Sequence, residues 1–400
     1  MKEISMDFFR DEVRNGFFIP TAVKQAWAAQ LQVLDVIETI CRKHDITYFA
    51  DWGTILGTVR HGGYVPWDDD MDICMKREDY TRFKEAAKTE LPKDFRIHDY
   101  EHQEDHWLFL SRVANSVHIN FEPEHMKQFH NFPYIAGIDI FVLDYLYKDE
   151  QQEKQRCEEV KHIIAVADSI IAGEIAQPVK EANLIQLEEK YHKTFNRKLD
   201  NRHIGIELYR LAEEQMARVP KEESDRMAQI FPWGLLGNRG QDREYYEKFV
   251  RLPFENTTMP VPADYHRILS GKYHDYFKIH KVWSGHDYPY FEGQRKNLQA
   301  VADFKLPEFT FDKAMLRQNT KEMKNSDTMQ NIAAEALLNI EKLYKAFMAE
   351  MQGKTGSVVA GSEEADDTEQ SRSEAWTDNA GQRTGKLSAD STAQLLDILA

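Results

Sequence analysis

Trp67-Asp68-Asp69-Asp70-Met71-Asp72-Ile73-Cys74-Met75 sets four carboxylates within five positions and follows them directly with an apolar run. Carboxylates this close repel one another unless a cation or water screens them. In an extended strand side chains alternate in direction, so Asp70 and Asp72 share one face while Met71, Ile73 and Met75 take the other. The apolar set can then bury while the two acids converge on one ion. Hard divalent cations take oxygen ligands, and Mg²⁺ is commonly held by one or two carboxylates together with substrate phosphate. A solvated acidic loop is the plain alternative, and the apolar strand that follows argues against it. An EF-hand calcium loop is excluded, because Ile73 falls at its glycine position and Asp79 at its twelfth, where Glu is needed.

Just upstream runs Gly53-Thr54-Ile55-Leu56-Gly57-Thr58-Val59-Arg60-His61-Gly62-Gly63. Glycines let a backbone approach a phosphate, and a helix opening there presents free N–H groups. Arg60 adds a planar cation suited to phosphate oxygens. Gly53, Thr54 and Arg60 are therefore candidates for binding a donor phosphate, with His61 either assisting them or serving the fold. Other signals are weaker. His98, His102 and His106 would share one face of a helix, but Arg96 to His106 lacks an apolar helical face and reads as a surface loop or edge strand. Gly353-Lys354-Thr355 ends like a phosphate-binding P-loop, yet Met348 stands where the earlier glycine belongs. Asn256-Thr257-Thr258 is a glycosylation sequon without a secretory signal. The aromatic run from Trp283 to Phe291 reads as packing, or as part of a box for a quaternary ammonium, with Tyr273, Tyr276, Trp283 and Tyr288 as candidates.

From Tyr48 to Phe83, YFADWGTILGTVRHGGYVPWDDDMDICMKREDYTRF closely resembles the LicD family, phosphotransferases that decorate cell-surface glycans with phosphocholine. The stretch Thr21 to His44 is similar to the family's lead-in helix. Gly137-Ile138-Asp139-Ile140-Phe141-Val142-Leu143-Asp144 resembles its third-carboxylate strand. Leu252-Pro253-Phe254-Glu255, Val261-Pro262 and Tyr265-His266-Arg267-Ile268-Leu269 resemble its C-terminal segment. Where the family commonly has Tyr-Gly-Asp, this chain has Tyr273-His274-Asp275.

The resemblance implies a nucleotidyltransferase-like fold, marked by a Gly-Ser/Thr turn, a D-x-D strand and a third carboxylate on a later strand. It implies transfer of phosphocholine from CDP-choline to a sugar hydroxyl of a teichoic acid or lipopolysaccharide precursor, releasing CMP. One or two Mg²⁺ ions, or Mn²⁺ in their place, would sit on Asp70, Asp72 and the third carboxylate. Asp139 and Asp144 are five residues apart and so face opposite sides of a regular strand. Asp139, between Ile138 and Ile140, repeats the Asp70-Met71-Asp72-Ile73 arrangement and is favoured, whereas Asp144 could cap the next turn. The same fold could instead transfer glycerol phosphate, ribitol phosphate or a nucleotidyl group. A catalytically silent metal- or glycan-binding scaffold is the reading from another class, and it has no need of clustered charge.

These residues need elements to hold them. Thr21 to His44 reads as a helix with Trp27, Leu31, Leu34, Ile37 and Cys41 on one stripe. Strands are expected at 46–50, 71–75, 107–113 and 135–146, and a helix at 77–87. Strand and helix alternate, so the class is α/β or α+β with one mixed sheet. Residues 150–220 read as helical. Residues 231–293 are dense in Tyr, Phe, Trp, Pro and Gly and read as loop-rich. A helix is expected over Ser326 to Met351. From Thr355 to Ala400 nine acids stand against three bases with few apolar groups, the composition of a disordered tail. The expected division is a catalytic core at 1–150, a helical and loop-rich part completing the site at 151–354, and the acidic tail at 355–400.

Composition excludes several classes. The 400 residues carry 51 bases and 67 acids, a net charge of −16, which disfavours nucleic acid as a partner. No apolar run approaches the ~20 residues that span a bilayer, and the N-terminus lacks a signal-peptide core. Cys41, Cys74 and Cys157 are widely spaced and fit reduced thiols. The expected location is the cytoplasm, including the inner membrane face where glycan precursors are lipid-linked. Oligomeric state is not legible.

Overall fold

The computed structural model describes residues 3–103, 106–279 and 288–301. Trp283, the helix expected over Ser326 to Met351 and the acidic tail lie outside the described residues. Strands β1 (Glu12–Arg14) and β2 (Phe17–Ile19) form a hairpin turned by Asn15 and Gly16, both at positive φ. Asp11 then accepts the Thr21 N–H at 2.6 Å and opens α1 (Thr21–Lys43). Its Trp27, Leu31, Leu34 and Ile37 are fully buried, as their helical spacing requires. The Trp27 ring stacks on Tyr64 at 4.5 Å.

The site-bearing elements follow in chain order: β3 (Tyr48–Ala50), α2 (Trp52–His61), β4 (Asp72–Lys76), α3 (Arg77–Glu90), β5 (Arg96–His98), β6 (Ser111–Ala114), α4 (Pro123–Gln128) and β7 (Gly137–Tyr145). The sheet runs β3-β4-β7-β6-β5. β4 and β7 are parallel, and the other neighbours on this path are antiparallel. This is the mixed sheet expected of the α/β class. α5 (Glu150–Ile171), α6 (Gln177–Tyr191) and α7 (Asn201–Met216) fill the region expected to be helical. β8 (Arg226–Ala228) pairs antiparallel with the end of β7 and with β9 (Gln241–Asp242).

Two expectations need correction. The strand expected at 107–113 is only Ser111–Ala114, because Phe109 leaves the ladder to pack edge-on against Tyr209 at 5.5 Å. The stretch read as loop-rich contains an antiparallel hairpin, β10 (Phe249–Phe254) and β11 (Thr257–Pro262), then α8 (Tyr265–Tyr273), and α9 (Glu292–Val301) begins at its end. Prolines 253, 260 and 262 hide the hairpin from pattern reading, and a two-stranded hairpin is an edge setting that tolerates them.

Burial follows three apolar clusters. One joins α1 and the sheet to Phe254, Met259, Val261 and Leu269 from the later hairpin and helix. A second lies among α5, α6 and α7, with Tyr100 and Phe109. A third, around Phe49, Cys74 and Phe141, backs the sheet with Tyr245, Tyr246 and Ile268. Cys41, Cys74 and Cys157 are buried and unpaired. Among the described residues no helix is long and apolar enough to cross a membrane.

Candidate active site

Asp51 follows β3 and caps α2, its carboxylate accepting the Trp52 N–H at 2.9 Å. It is buried, and its other partners are the Gln229 amide and the Lys272 ammonium, both carried by distant parts of the chain. Its own N–H donates to the Asp72 carbonyl at 3.0 Å, which ties α2 to the first residue of β4. Trp52 adopts φ +41°, a left-handed conformation that a bulky residue seldom takes. Gly53 follows because nothing larger fits: a β-carbon there would lie 2.1 Å from Asp68 Oδ2. The Thr54 hydroxyl accepts the Asp72 N–H at 2.8 Å. Gly53 and Thr54 therefore do stand against the acidic strand, as their order in the sequence suggests.

The acids divide by surroundings. Asp68, Asp69 and Asp70 each offer an oxygen within 4.8 Å of the others. Asp69 is fully buried and its carboxylate accepts the Tyr290 N–H, so it also serves the fold. Burial, then the charge of Asp70 beside it, pushes the Asp68 carboxyl well above the usual range. Asp72 is raised in the same way, by burial and then by Asp70, Asp139 and Asp51, with Arg112 opposing. Asp72 and Asp139 are register partners on the parallel strands β4 and β7. Arg112 grips Asp139 with two bonds, at 2.6 and 2.8 Å, and its side chain is 54% exposed. Asp144 lies elsewhere: it is buried and held bidentately by Arg77 at 2.7 and 2.9 Å, and Arg77 also donates to Glu213.

A donor set made wholly of carboxylate oxygens, crowded together at the start of β4 and across from it on β7, fits a hard divalent cation. Asp68, Asp70, Asp72 and Asp139 are the residues that could hold one. Asp68 is the member that sequence reasoning passed over, although it stands in the same acidic run. Asp51, Gln229, Lys272 and Arg112 were also missed. Lys272 lies 221 residues from Asp51 in sequence, and no local spacing could bring the two together.

The other expected residues are spread out. Arg60 and His61 sit in the last turn of α2, away from Gly53. Arg60 donates to the carbonyls of Tyr276 at 2.9 Å and Lys278 at 3.4 Å, fastening the segment after α8. Burial, then Arg60 and Arg14, holds His61 down to about 4, so its imidazole is neutral at pH 7. Of the aromatic candidates, Tyr273 feels Asp51, Asp68 and Asp72, which with burial raise its hydroxyl, burial being the larger cause. Tyr288 is buried edge-on to Phe17 at 6.0 Å and feels Asp69 and Asp68. Tyr276 instead bonds His266 and stacks on Phe277 at 4.4 Å. His98, His102 and His106 each find a different partner, Gln103, Asp99 and the Leu110 carbonyl, and form no common site.

Comparison with known proteins points to the same stretch of chain. A family model described as the LicD/FKTN/FKRP nucleotidyltransferase domain matches residues 45–164, which span β3 to α5. The lipopolysaccharide cholinephosphotransferase LicD of Haemophilus influenzae is 25% identical over 264 residues, 62% of this chain and 89% of that protein. An uncharacterised protein of Rickettsia typhi is 39% identical over 54 residues, and one of Rickettsia prowazekii 42% over 48 residues, each match covering 18% of the relative. Matched by that family model across the strands that bring Asp72 opposite Asp139, and similar along 89% of the Haemophilus protein, the chain carries a LicD-type domain over residues 45–164.

Proposed function

We propose that this chain is a metal-dependent phosphotransferase that moves phosphocholine from CDP-choline to a sugar hydroxyl of a cell-surface glycan precursor, releasing CMP. Lipopolysaccharide is the favoured acceptor class, because the Haemophilus relative is a lipopolysaccharide cholinephosphotransferase. Teichoic acid is the alternative acceptor. The observation that carries the reading is the pairing of Asp72 with Asp139 on parallel strands, with Asp68 and Asp70 entering from the loop before β4.

Mg²⁺ or Mn²⁺ held by Asp68, Asp70, Asp72 and Asp139 would neutralise pyrophosphate charge and polarise the reacting phosphorus. The protein's part is to keep these acids converged. Thr54 and Asp51 fix the backbone of Asp72, and Arg112 orients Asp139. The close passage at Gly53 leaves Asp68 room against the start of α2, the end of a helix that favours an anionic group. One of the carboxylates would take the acceptor hydroxyl's proton. Tyr273 and Tyr288, aromatic and beside acids, are the described residues best placed for a trimethylammonium group.

The test is CMP release from a panel of CDP-alcohols by the full chain, with Mg²⁺ and with chelator. Release from CDP-choline in Mg²⁺ alone is expected. Equal or faster release from CDP-glycerol or CDP-ribitol would move the assignment to a polyol phosphate. No release from any member, with acceptor present, would leave the scaffold reading.

A further inference from the structure

We propose that Lys272, rather than Arg60, is the cation that contacts the donor's phosphate groups; the inference rests on the phosphotransferase reading above and names a residue for it. Among the described residues, three cationic side chains come into question for an anion at the acidic cluster: Arg60, Arg112 and Lys272. Arg60 is spent on two backbone carbonyls at the far end of α2. Arg112 is committed to both oxygens of Asp139.

Lys272 differs from both. Its ammonium has one hydrogen-bond acceptor among the described residues, Asp51, and an ammonium has three N–H donors to give. It lies 3.8 Å from the centroid of the Trp52 ring. That contact is electrostatic and surrenders no N–H to a particular acceptor. Asp51 is fastened by backbone to Asp72, so Lys272 stands at the edge of the carboxylate cluster and at the opening of α2. Its side chain is 14% exposed, shielded yet reachable. A phosphate carried to the acids would find here a point charge on a flexible stem, held from behind by Asp51. The residue carrying that ring, Trp52, has a left-handed backbone at φ +41°, a conformation that a bulky side chain seldom takes and that is found most often at functional sites.

The test measures affinity of the full chain for inorganic pyrophosphate in Mg²⁺ by calorimetry, with CDP-choline kinetics alongside. Lys272→Gln keeps an N–H for Asp51 and removes the charge. It should weaken pyrophosphate binding about tenfold or more and raise KM for CDP-choline in proportion, since charge-assisted bonds to phosphate are the strong ones. Lys272→Arg should restore part of the affinity. Should the buried Asp51 destabilise Lys272→Gln, the double variant Asp51→Asn/Lys272→Gln removes both charges, and it should bind pyrophosphate about tenfold more weakly than Asp51→Asn alone. Unchanged pyrophosphate affinity in Lys272→Gln, or a loss confined to Arg60→Gln, overturns the assignment to Lys272. If the wild type binds pyrophosphate through Lys272 but releases no CMP from any CDP-alcohol, the proposed function fails and the role of Lys272 stands.

Discussion

Two aspartates on one strand, Asp139 and Asp144, should respond to the same substitution in opposite ways. Asp144 is 1% exposed and is gripped by Arg77 through two bonds. Asp144→Asn removes its charge from a buried network, and breaking such a pair costs about 3–5 kcal/mol. Arg77 keeps Glu213, itself bonded by Tyr100, so the guanidinium is not stranded and the lower end of that range, ~3 kcal/mol, is expected. That is a large share of a folding stability of about 5–15 kcal/mol. Asp139 is 15% exposed and its partner Arg112 is 54% exposed, so solvent already weakens their attraction. Asp139→Asn should cost below ~1 kcal/mol in stability. Its effect on rate should be far larger, about a hundredfold or more, since it withdraws charge from the proposed cation site. Urea unfolding measures the first quantity and CMP release the second. A folded but inactive Asp144→Asn beside an active Asp139→Asn would falsify the division of roles.

Three further outcomes follow from other contacts. Asp70→Asn and Asp72→Asn should each lower CMP release by two or more orders of magnitude while leaving the unfolding midpoint at or above wild type, because each relieves repulsion among crowded acids; near-normal turnover in either, at saturating Mg²⁺, would refute the cation site. Gly53→Ala should cut turnover sharply with a soluble, folded product, since the new methyl would displace the Asp68 carboxylate from a position 2.1 Å away. Burial, partly countered by the Tyr209 hydroxyl, raises the Asp168 carboxyl from 3.8 to about 6. The folded state therefore holds that proton between the two values, and stability falls as pH rises through about 6. Asp168→Asn keeps an acceptor for Tyr209 and should gain on the order of 1–2 kcal/mol at pH 8 but little at pH 4; an equal gain at both pH values would exclude the buried charge as its cause.

The parts of the fold legible in the sequence are those with local causes. The stripe on α1, the alternation of acid and apolar residues entering β4, and the odd spacing of Asp139 and Asp144 each follow from helix or strand geometry alone. The split between the two aspartates is clear in the structure because β7 presents them to different surroundings, Arg112 and Arg77. What was not legible depends on distant chain segments. The hairpin β10–β11 is masked by prolines at an edge. Arg60 looked like a phosphate ligand because an arginine beside glycines usually suggests one. Only the fold reveals that carbonyls after α8 already claim it. Lys272 carries no motif, since its partner Asp51 is set by tertiary contact.

Clustered acids at the mouth of a sheet should push the strands apart, and the backbone explains why they do not. The Asp51 N–H bonds the Asp72 carbonyl at 3.0 Å, and the Asp139 N–H bonds the Met71 carbonyl at 3.3 Å. The Asp72 N–H goes to the Thr54 hydroxyl at 2.8 Å. Behind them Met71, Ile73, Met75, Ile138 and Ile140 are all at or below 1% exposure. The apolar faces of β4 and β7 thus anchor the peptide groups, and the peptide groups hold the carboxylates together against their mutual repulsion. Local repulsion sustained by a core in this way is a store of affinity for whatever neutralises it. Among these acids, Asp139 is paired with Arg112 and Asp51 with Lys272. Burial and the charge of Asp70 raise the carboxyls of both Asp68 and Asp72. A divalent cation at the proposed site would relieve that repulsion at several carboxylates at once.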